Sequence, residues 1–478
     1  MAYISGPDRT QAVLLPEVLD DYVGPSNPVR FLDAFVAQLD LGALGFARAV
    51  PAETGRPGYD PGDLLRLYLY GYLHRIRSSR RLEEEAHRNV ELMWLLRRLT
   101  PDHKTIADFR RDHPEALKRV CREFILLCRE LELFGGELLA VDGSKFRAVN
   151  ARERSYTPEK LARMQRDIEQ TIATYLRELE RGDAHEAGVD DGPTPAALEE
   201  KIAVLRARQG RVRELQTALA RSGETALSLT DPDSRPMLSR GRVEVCYNVQ
   251  TVVDAKHKLI VAEDVTNAAA DRDQLGPMAL AAQAVVPAPE SAPVVVADRG
   301  YYHGAEIKRC VEAGLTPLVP RPVTSANAPL GLFTKDDFVY EAAADAYRCP
   351  AGELLQYRST TLELGRTIKN YRTSACGRCA LKPRCTRNRD GRKITRWVDE
   401  HLLEEMERQL RRTPALAARR KALSEHPFGT MKRGMEQGTF LLRGLRKVRG
   451  EFSLTVLAYN LKRTFTIVGV PRLLLAVR

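Results

Sequence analysis

Along the first 130 or so positions the apolar residues recur at helical spacing. Leu64, Leu65, Leu67, Leu69, Tyr72, Leu73 and Ile76 follow the breaker Tyr59-Asp60-Pro61-Gly62, which predicts a helix over 63–76. A second helix is expected from Leu82 to Leu99, stopped by Thr100-Pro101, and a third from Asp102 to about Leu133. At Gly136 the pattern changes. Leu138-Leu139-Ala140-Val141 is a short apolar run ending in Asp142, the mark of a buried strand. Residues 157–221 return to helical spacing in two blocks, Leu161 to Leu179 and Leu198 to Leu219, joined by the Gly-, Asp- and Pro-rich stretch 181–195. An antiparallel helical hairpin is the simplest account. Val243, Val245, Tyr247, Val249, Thr251 and Val253 then alternate with period two, and further strands are expected near 258–264, 294–298 and 316–320. Helices at about 274–285 and 303–313 between the strands complete an α/β pattern.

This divides the chain into a helical N-terminal domain over 1–133 and an α/β domain over 134–478. Two insertions interrupt the second, a helical hairpin over 151–230 and a cysteine-rich basic segment over 325–398. Helices resume from about 400 to 465. Composition narrows the class: 44% hydrophobic and 29% charged residues in 478 describe a globular chain. No apolar run approaches the roughly 18 residues of a membrane span. Met1 to Arg9 lacks a charged start with an apolar core, so no signal peptide is expected. Lys+Arg 74 against Asp+Glu 63 leaves a net charge of +11. That excess favours a polyanionic partner. His74, Arg75, Arg77, Arg80 and Arg81 crowd one helical connector. A helix-turn-helix-like DNA module would explain them, and so would a solvated basic face of a helical bundle.

Asp142 and Asp298 share one context, a carboxylate where an apolar strand ends. Open α/β sheets place their sites at such strand ends, although a turn or cap Asp is the plainer reading of either alone. A third acid, Glu425, lies seven residues before Lys432 in Ser424-Glu425-His426-Pro427-Phe428-Gly429-Thr430-Met431-Lys432. Seven is two helical turns, so the two side chains would point the same way in a regular helix. Three carboxylates in one crevice require cations between them, and Mg²⁺ or Mn²⁺ suits oxygen ligands and phosphoryl transfer. Lys432 would contact the phosphate backbone. The plainer reading makes Glu425 a first-turn acid and Lys432 a surface charge. Two other acids compete: Asp254 reads as a hairpin-turn residue and Asp271 as lying near a helix cap.

At these residues the chain resembles the DDE-type transposases of bacterial insertion sequences. The resemblance rests on Pro101-Asp102-His103-Lys104-Thr105-Ile106-Ala107-Asp108-Phe109-Arg110, Val141-Asp142-Gly143-Ser144-Lys145, Tyr247-Asn248-Val249-Gln250-Thr251 and Ala297-Asp298-Arg299-Gly300-Tyr301. Glu425-His426-Pro427-Phe428-Gly429-Thr430 and Leu457-Ala458-Tyr459-Asn460-Leu461-Lys462-Arg463 complete it. It implies a ribonuclease-H-like mixed sheet with flanking helices, and a catalytic triad on Asp142, Asp298 and Glu425. It also implies double-stranded DNA as partner, a homo-oligomer on that DNA, and action in the cytoplasm at the nucleoid. One departure stands out. The family's third motif has Tyr and Arg where this chain has Ala418 and Lys421. Lys421 would still supply charge there, as a point and not a bidentate fork, unless Arg419 or Arg420 substitutes.

Four of the eight cysteines, Cys349, Cys376, Cys379 and Cys385, lie in one basic segment. Their thiolates would close a tetrahedral structural Zn²⁺ site. Reduced cysteines that bind nothing are the alternative. Cys121, Cys128, Cys246 and Cys310 sit in apolar patterns and read as packing residues. The leading expectation is a DNA transposase that cleaves element ends and joins them to a target. A catalytically silent DNA-binding protein and a two-metal nuclease without strand transfer are the alternatives.

Overall fold

The computed structural model describes residues 18–50, 58–151, 154–183, 194–239, 241–322 and 325–477. The expectations for Met1–Arg9 and for residues 184–193 of the hairpin join lie outside them. The described N-terminal residues fold into α1 (Pro28–Gln38), α2 (Pro61–Leu73), α3 (Ser79–Arg88), α4 (Val90–Leu95), α5 (His103–Asp112) and α6 (Pro114–Glu130). Each of the two longer helices expected here is broken in two. The Asn89 side chain accepts from the amides of Glu91 and Leu92 and so starts α4 afresh. Pro114 cannot donate to the ladder of α5 and instead opens α6. Asp102 caps α5 through the amides of Lys104 and Thr105.

The central sheet starts with β1 (Leu138–Arg147). The hairpin insertion follows: β2 (Ser155–Tyr156), α7 (Pro158–Asp183), α8 (Pro195–Ser222) and β3 (Leu227–Ser228). Leu161, Ile168, Val212 and Leu219 give it a small core of its own. The sheet resumes with β4 (Arg235–Ser239), β5 (Arg242–Asp254) and β6 (Ile260–Thr266). Next come α9 (Leu275–Gln283), β7 (Val294–Val296), α10 (Gly304–Glu312) and β8 (Thr316–Leu318). β1 runs antiparallel to β5, and β5 antiparallel to β4 and β6, while β7 and β8 lie parallel on the other side of β1. This is a ribonuclease-H-like order.

The cysteine segment holds an antiparallel sheet that the sequence pattern did not announce. It consists of β9 (Val339–Glu341), β10 (Ala346–Arg348), β11 (Leu354–Glu363), β12 (Arg366–Arg372) and β13 (Ile394–Trp397), with a short helix α11 (Lys382–Cys385) between the last two strands. β11 is exposed on both faces over most of its length, so it carries no apolar alternation to read. The chain ends in α12 (Glu400–Arg412), α13 (Pro414–Gly429), α14 (Leu445–Val468) and α15 (Val470–Ala476).

α14 is buried on nearly every side between Val448 and Thr464, packing on α2, α6 and β6. The N-terminal helices and the sheet consequently share one hydrophobic core. Asn460 on α14 bonds both the amide and the carbonyl of Ile260, and the Tyr459 hydroxyl donates to the Lys258 carbonyl. A polar α14 residue thus satisfies the edge of β6 that no strand covers.

One topological detail positions the site. β7 pairs with β1 only at Leu138, Leu139 and Ala140, whereas β5 follows β1 as far as Arg147. From residue 141 β1 has no strand on that edge until Arg147 bridges Thr439, and β1 and β7 part there.

Candidate active site

Asp142 lies on β1 where that edge opens, and Asp298 stands just past the end of β7. The two are close enough for the charge of Asp298 to push the Asp142 carboxyl up. Burial is the larger cause of that rise; the Ser424 hydroxyl, the Arg420 guanidinium and the Gly143 amide act against it. Asp142 Oδ1 accepts from Gly143 N at 2.8 Å, and Arg420 Nη1 stands 3.5 Å from Oδ2. Ser424 Oγ is buried against the site without a well-aligned hydrogen bond. Asp298 caps the turn Arg299–Tyr301, its Oδ1 accepting from Gly300 N at 2.7 Å.

Glu425 is brought to the same side of the sheet but not into the crevice. α13 packs on β1, β5 and β7, yet Ser424 faces inward and Glu425, rotated roughly 100° further round the helix, is 65% exposed against 20% for Asp142. It pairs with Lys421 at 3.8 Å. The guanidinium next to Asp142 therefore comes from Arg420, and Lys421 belongs to the outer face.

Lys432 does reach the site. Its Nζ donates to Ser144 Oγ at 2.6 Å and to the Lys145 carbonyl at 2.8 Å, and lies 4.8 Å over the Phe146 ring. It thereby covers the open edge of β1. Glu425 and Lys432 do not share a face as their spacing suggested. Pro427 and a π-helical turn at Thr430–Gly434 stand between them and alter the register. Lys145, Arg147, Arg242 and Lys432 line a groove along β1 and β5, outnumbering its two acids, Glu244 and Glu436.

His426, left without a role from sequence, is held between Tyr459 and Arg463 of α14, and burial keeps its imidazole below the usual pKa. It is a packing residue. Arg77 and Arg110 are spent inside the protein as well. Arg77 donates to the Thr439 and Glu436 carbonyls, and Arg110 to the Tyr72 hydroxyl and the Arg77 carbonyl. Arg75, Arg80 and Arg81 remain exposed.

Asp254 is a turn residue, accepting from the amides of Gly135, Gly136 and Lys256. Asp271 is the acid that sequence reasoning passed over. Its carboxylate lies beside Gly143 and Gly300, with Asn248 Nδ2 at 2.6 Å, Gln250 Nε2 at 2.8 Å and Lys145 Nζ at 3.5 Å. The only hint in the sequence is the pair of amides two apart on β5.

Among the described residues, no group of three or more His, Cys, Asp or Glu side chains is arranged to hold a metal ion. The crevice offers only oxygen donors. Its two carboxylates repel each other, and the Thr251 hydroxyl, across the strand pair from Asp142, is buried without a partner. Such a donor set fits a hard divalent cation. Cys349, Cys376, Cys379 and Cys385 line one small cavity. Burial raises the Cys385 thiol pKa, Arg392 opposes this, and the other three cysteines add to the rise. The sulfurs are gathered without forming a coordinating arrangement.

Comparison with known proteins gives two family matches. Residues 348–465 match the family described as "Transposase DDE domain", and residues 17–112 match "Transposase domain (DUF772)". The first segment includes Glu425 and Lys432, while Asp142 and Asp298 fall in neither. No curated protein matches the chain. Among solved structures, a piggyBac transposase synaptic complex with hairpin DNA aligns at 8% identity, over 93% of this chain and 76% of that one, with a TM-score of 0.32. A likeness that weak places no residue. The chain thus carries two segments that match transposase families, one of them a DDE domain.

Proposed function

We propose that Asp142, Asp298 and Glu425 are the carboxylates of DNA cleavage and strand transfer, and that Lys432 and the groove behind it hold the DNA backbone. The observation that carries this reading is the pair Asp142 and Asp298, brought within electrostatic reach of each other where β1 outruns β7. Asp142, Asp298 and Glu425 would hold divalent cations such as Mg²⁺. When bound, these supply activation of a water or 3′-hydroxyl and stabilisation of the leaving oxygen.

The protein's own groups do the rest. Lys432, fixed to Ser144 and the Lys145 carbonyl, presents a point charge to a phosphate beside Asp142. Arg420 offsets part of the Asp142 charge until DNA arrives. For Glu425 to join the aspartates, α13 turns by about one residue, so that the inward places of Ser424 and Arg420 are exchanged. The substrate is double-stranded DNA at the element ends and target, engaged by a homo-oligomer that holds two ends together, with the nucleoid as the place of action. Cys349, Cys376, Cys379 and Cys385, which line one cavity, would hold a structural Zn²⁺ in the small antiparallel module.

The test is incubation of the full chain with DNA carrying the element ends and Mg²⁺, followed by mapping of nicks and joined products. Wild type should nick the ends and join the freed 3′-hydroxyls to target. Asp142→Ala, Asp298→Ala and Glu425→Ala should bind DNA but leave it uncut, because binding draws on the spread basic surface. Undiminished cleavage by Asp298→Ala overturns the assignment. Nicking without joined products would leave a two-metal nuclease. Metal analysis of the same preparation should find one zinc per chain, lost on Cys376→Ser.

A further inference from the structure

Of the motif Tyr247-Asn248-Val249-Gln250-Thr251 only Thr251 enters the donor set above, yet the side chains of Asn248 and Gln250 both point at one carboxylate. In the β1–β5 register Gly143 faces Gln250 and Lys145 faces Asn248, so all four share one sheet face. Asp271 sits on that face. Its Oδ1 accepts from both amides, Asn248 Nδ2 and Gln250 Nε2, and lies 3.5 Å from Lys145 Nζ. The other end of the Gln250 amide accepts from the Tyr301 hydroxyl at 2.5 Å. Tyr301 closes the short turn that Asp298 caps. A hydrogen-bonded chain therefore runs from Asp271 through Gln250 to the turn carrying Asp298.

The glycines show how closely the carboxylate fits. A Cβ on Gly143, the residue after Asp142, would lie 2.7 Å from Asp271 Oδ1 and 2.5 Å from Gln250 Nε2. On Gly300 it would lie 2.9 Å from Asp298 Oδ1 and 3.9 Å from Asp271 Oδ2. Asp271 thus occupies the space that a side chain on Gly143, next to Asp142, would need, and lies near Gly300, two residues after Asp298.

We infer that Asp271, clamped by Asn248 and Gln250, is a positioning residue that fixes Asp142 and Asp298 relative to each other and so sets their affinity for the divalent cation. This rests on the proposed roles of those two aspartates. The clamp acts through its hydrogen bonds. An amide at 271 keeps an oxygen for both donors and should preserve the effect, whereas a methyl group removes it.

The experiment uses the full chain and two readouts, Mn²⁺ binding by electron paramagnetic resonance without DNA, and cleavage of end DNA with Mg²⁺. Asp271→Ala should weaken Mn²⁺ binding and slow cleavage by about 10- to 100-fold, the range typical of groups that orient metal ligands. DNA affinity should not weaken, since every groove cation, Lys145 included, is retained. Asp271→Asn should recover most of both losses. Wild-type Mn²⁺ binding and cleavage in Asp271→Ala overturns the inference, and so does an Asp271→Asn protein no better than Asp271→Ala. If Asp271→Ala does not fold, Asn248→Ala decides: severalfold weaker Mn²⁺ binding is expected, and none overturns it. Asp142→Ala and Asp298→Ala, run alongside, separate the two claims. If they bind Mn²⁺ and cleave normally, the site itself is misassigned. If they are dead while the Asp271 series is silent, the inference alone fails.

Discussion

The two sides of the active site are held in opposite ways. On the sheet side, strand register fixes Asp142, a cap fixes Asp298, and Lys432 is tied to β1 by two hydrogen bonds. On the helix side, Glu425 depends on which face α13 turns inward, and α13 has a proline within it and a π-helical turn at its end. Ladder hydrogen bonds allow one register, because slipping by a single residue moves every side chain to the other face. A helix packed through side chains can rotate at far lower cost. On the proposed assignment, the sheet side is built in advance and Glu425 is the part that must move to reach it.

Substitutions that remove chemistry should give the largest effect and break the symmetry between the sides. Asp142→Asn and Glu425→Gln should each slow cleavage about a thousandfold or more. Thermal melts without metal should then differ. Glu425 is exposed, so its loss should leave stability within about 0.5 kcal/mol of wild type. Asp142→Asn should match or exceed wild type, because a half-buried charge facing Asp298 is gone. A clear destabilisation by Glu425→Gln would mean that α13 is already locked.

Packing gives the next effect. Gly143→Ala places a methyl group in the Asp271 clamp and should cost about 1–3 kcal/mol in urea unfolding, with cleavage reduced alongside. Gly429→Ala has open space around its Cβ and lies at the end of α13. It should be neutral or stabilise by about 0.5–1 kcal/mol. Equal costs at both positions would remove the distinction between a rigid and an adjustable side.

The smallest effect is a pH dependence. An acid whose folded pKa is raised favours the folded state when protonated, so its penalty is present above that pKa and fades as pH falls through it. Metal-free wild type should gain stability from this group as pH falls toward the ordinary aspartate value of 3.8, and Mn²⁺ binding should weaken over the same range. Asp142→Asn should lack the gain and Glu425→Gln should keep it, as urea midpoints across the range would show.

The sheet was legible because its strands carry strong signals: period two over 243–253, and β-branched runs before Asp298. Asp298 does stand past a strand end, but Asp142 does not: β1 runs on to Arg147, because polar residues after Asp142 still pair with β5. Much of what resembled the family turned out to be scaffold. Asp102 is a cap, Arg110 is buried against Tyr72, and Tyr459 and Asn460 satisfy the backbone near β6. Tyr247 donates to Asp231. What stayed hidden depends on contacts between distant segments. Asp271 read as a cap because nothing local reveals two amides on β5. The inward place of Arg420 and the turn between Glu425 and Lys432 depend on helix phase, which a seven-residue spacing does not determine once a π turn intervenes.

The helical hairpin between β1 and β4 bears on how the protein folds. Arg147 pairs with Cys246, so the central strand pair must close a loop containing the whole insertion. For a floppy chain that closure loses entropy in proportion to the logarithm of loop length, and distant pairings form slowly. α7 and α8 pack on each other, and Ser155 pairs with Ser228 at their foot. Helices and their local contacts form early, so the insertion becomes a zipped stem before the strands meet. What remains to be closed is then only the short stretch on either side of the stem. In kinetic terms the insertion acts as a folding shortcut: loosening its foot should slow the pairing of β1 with β5, while trimming its far end should leave the rate almost unchanged.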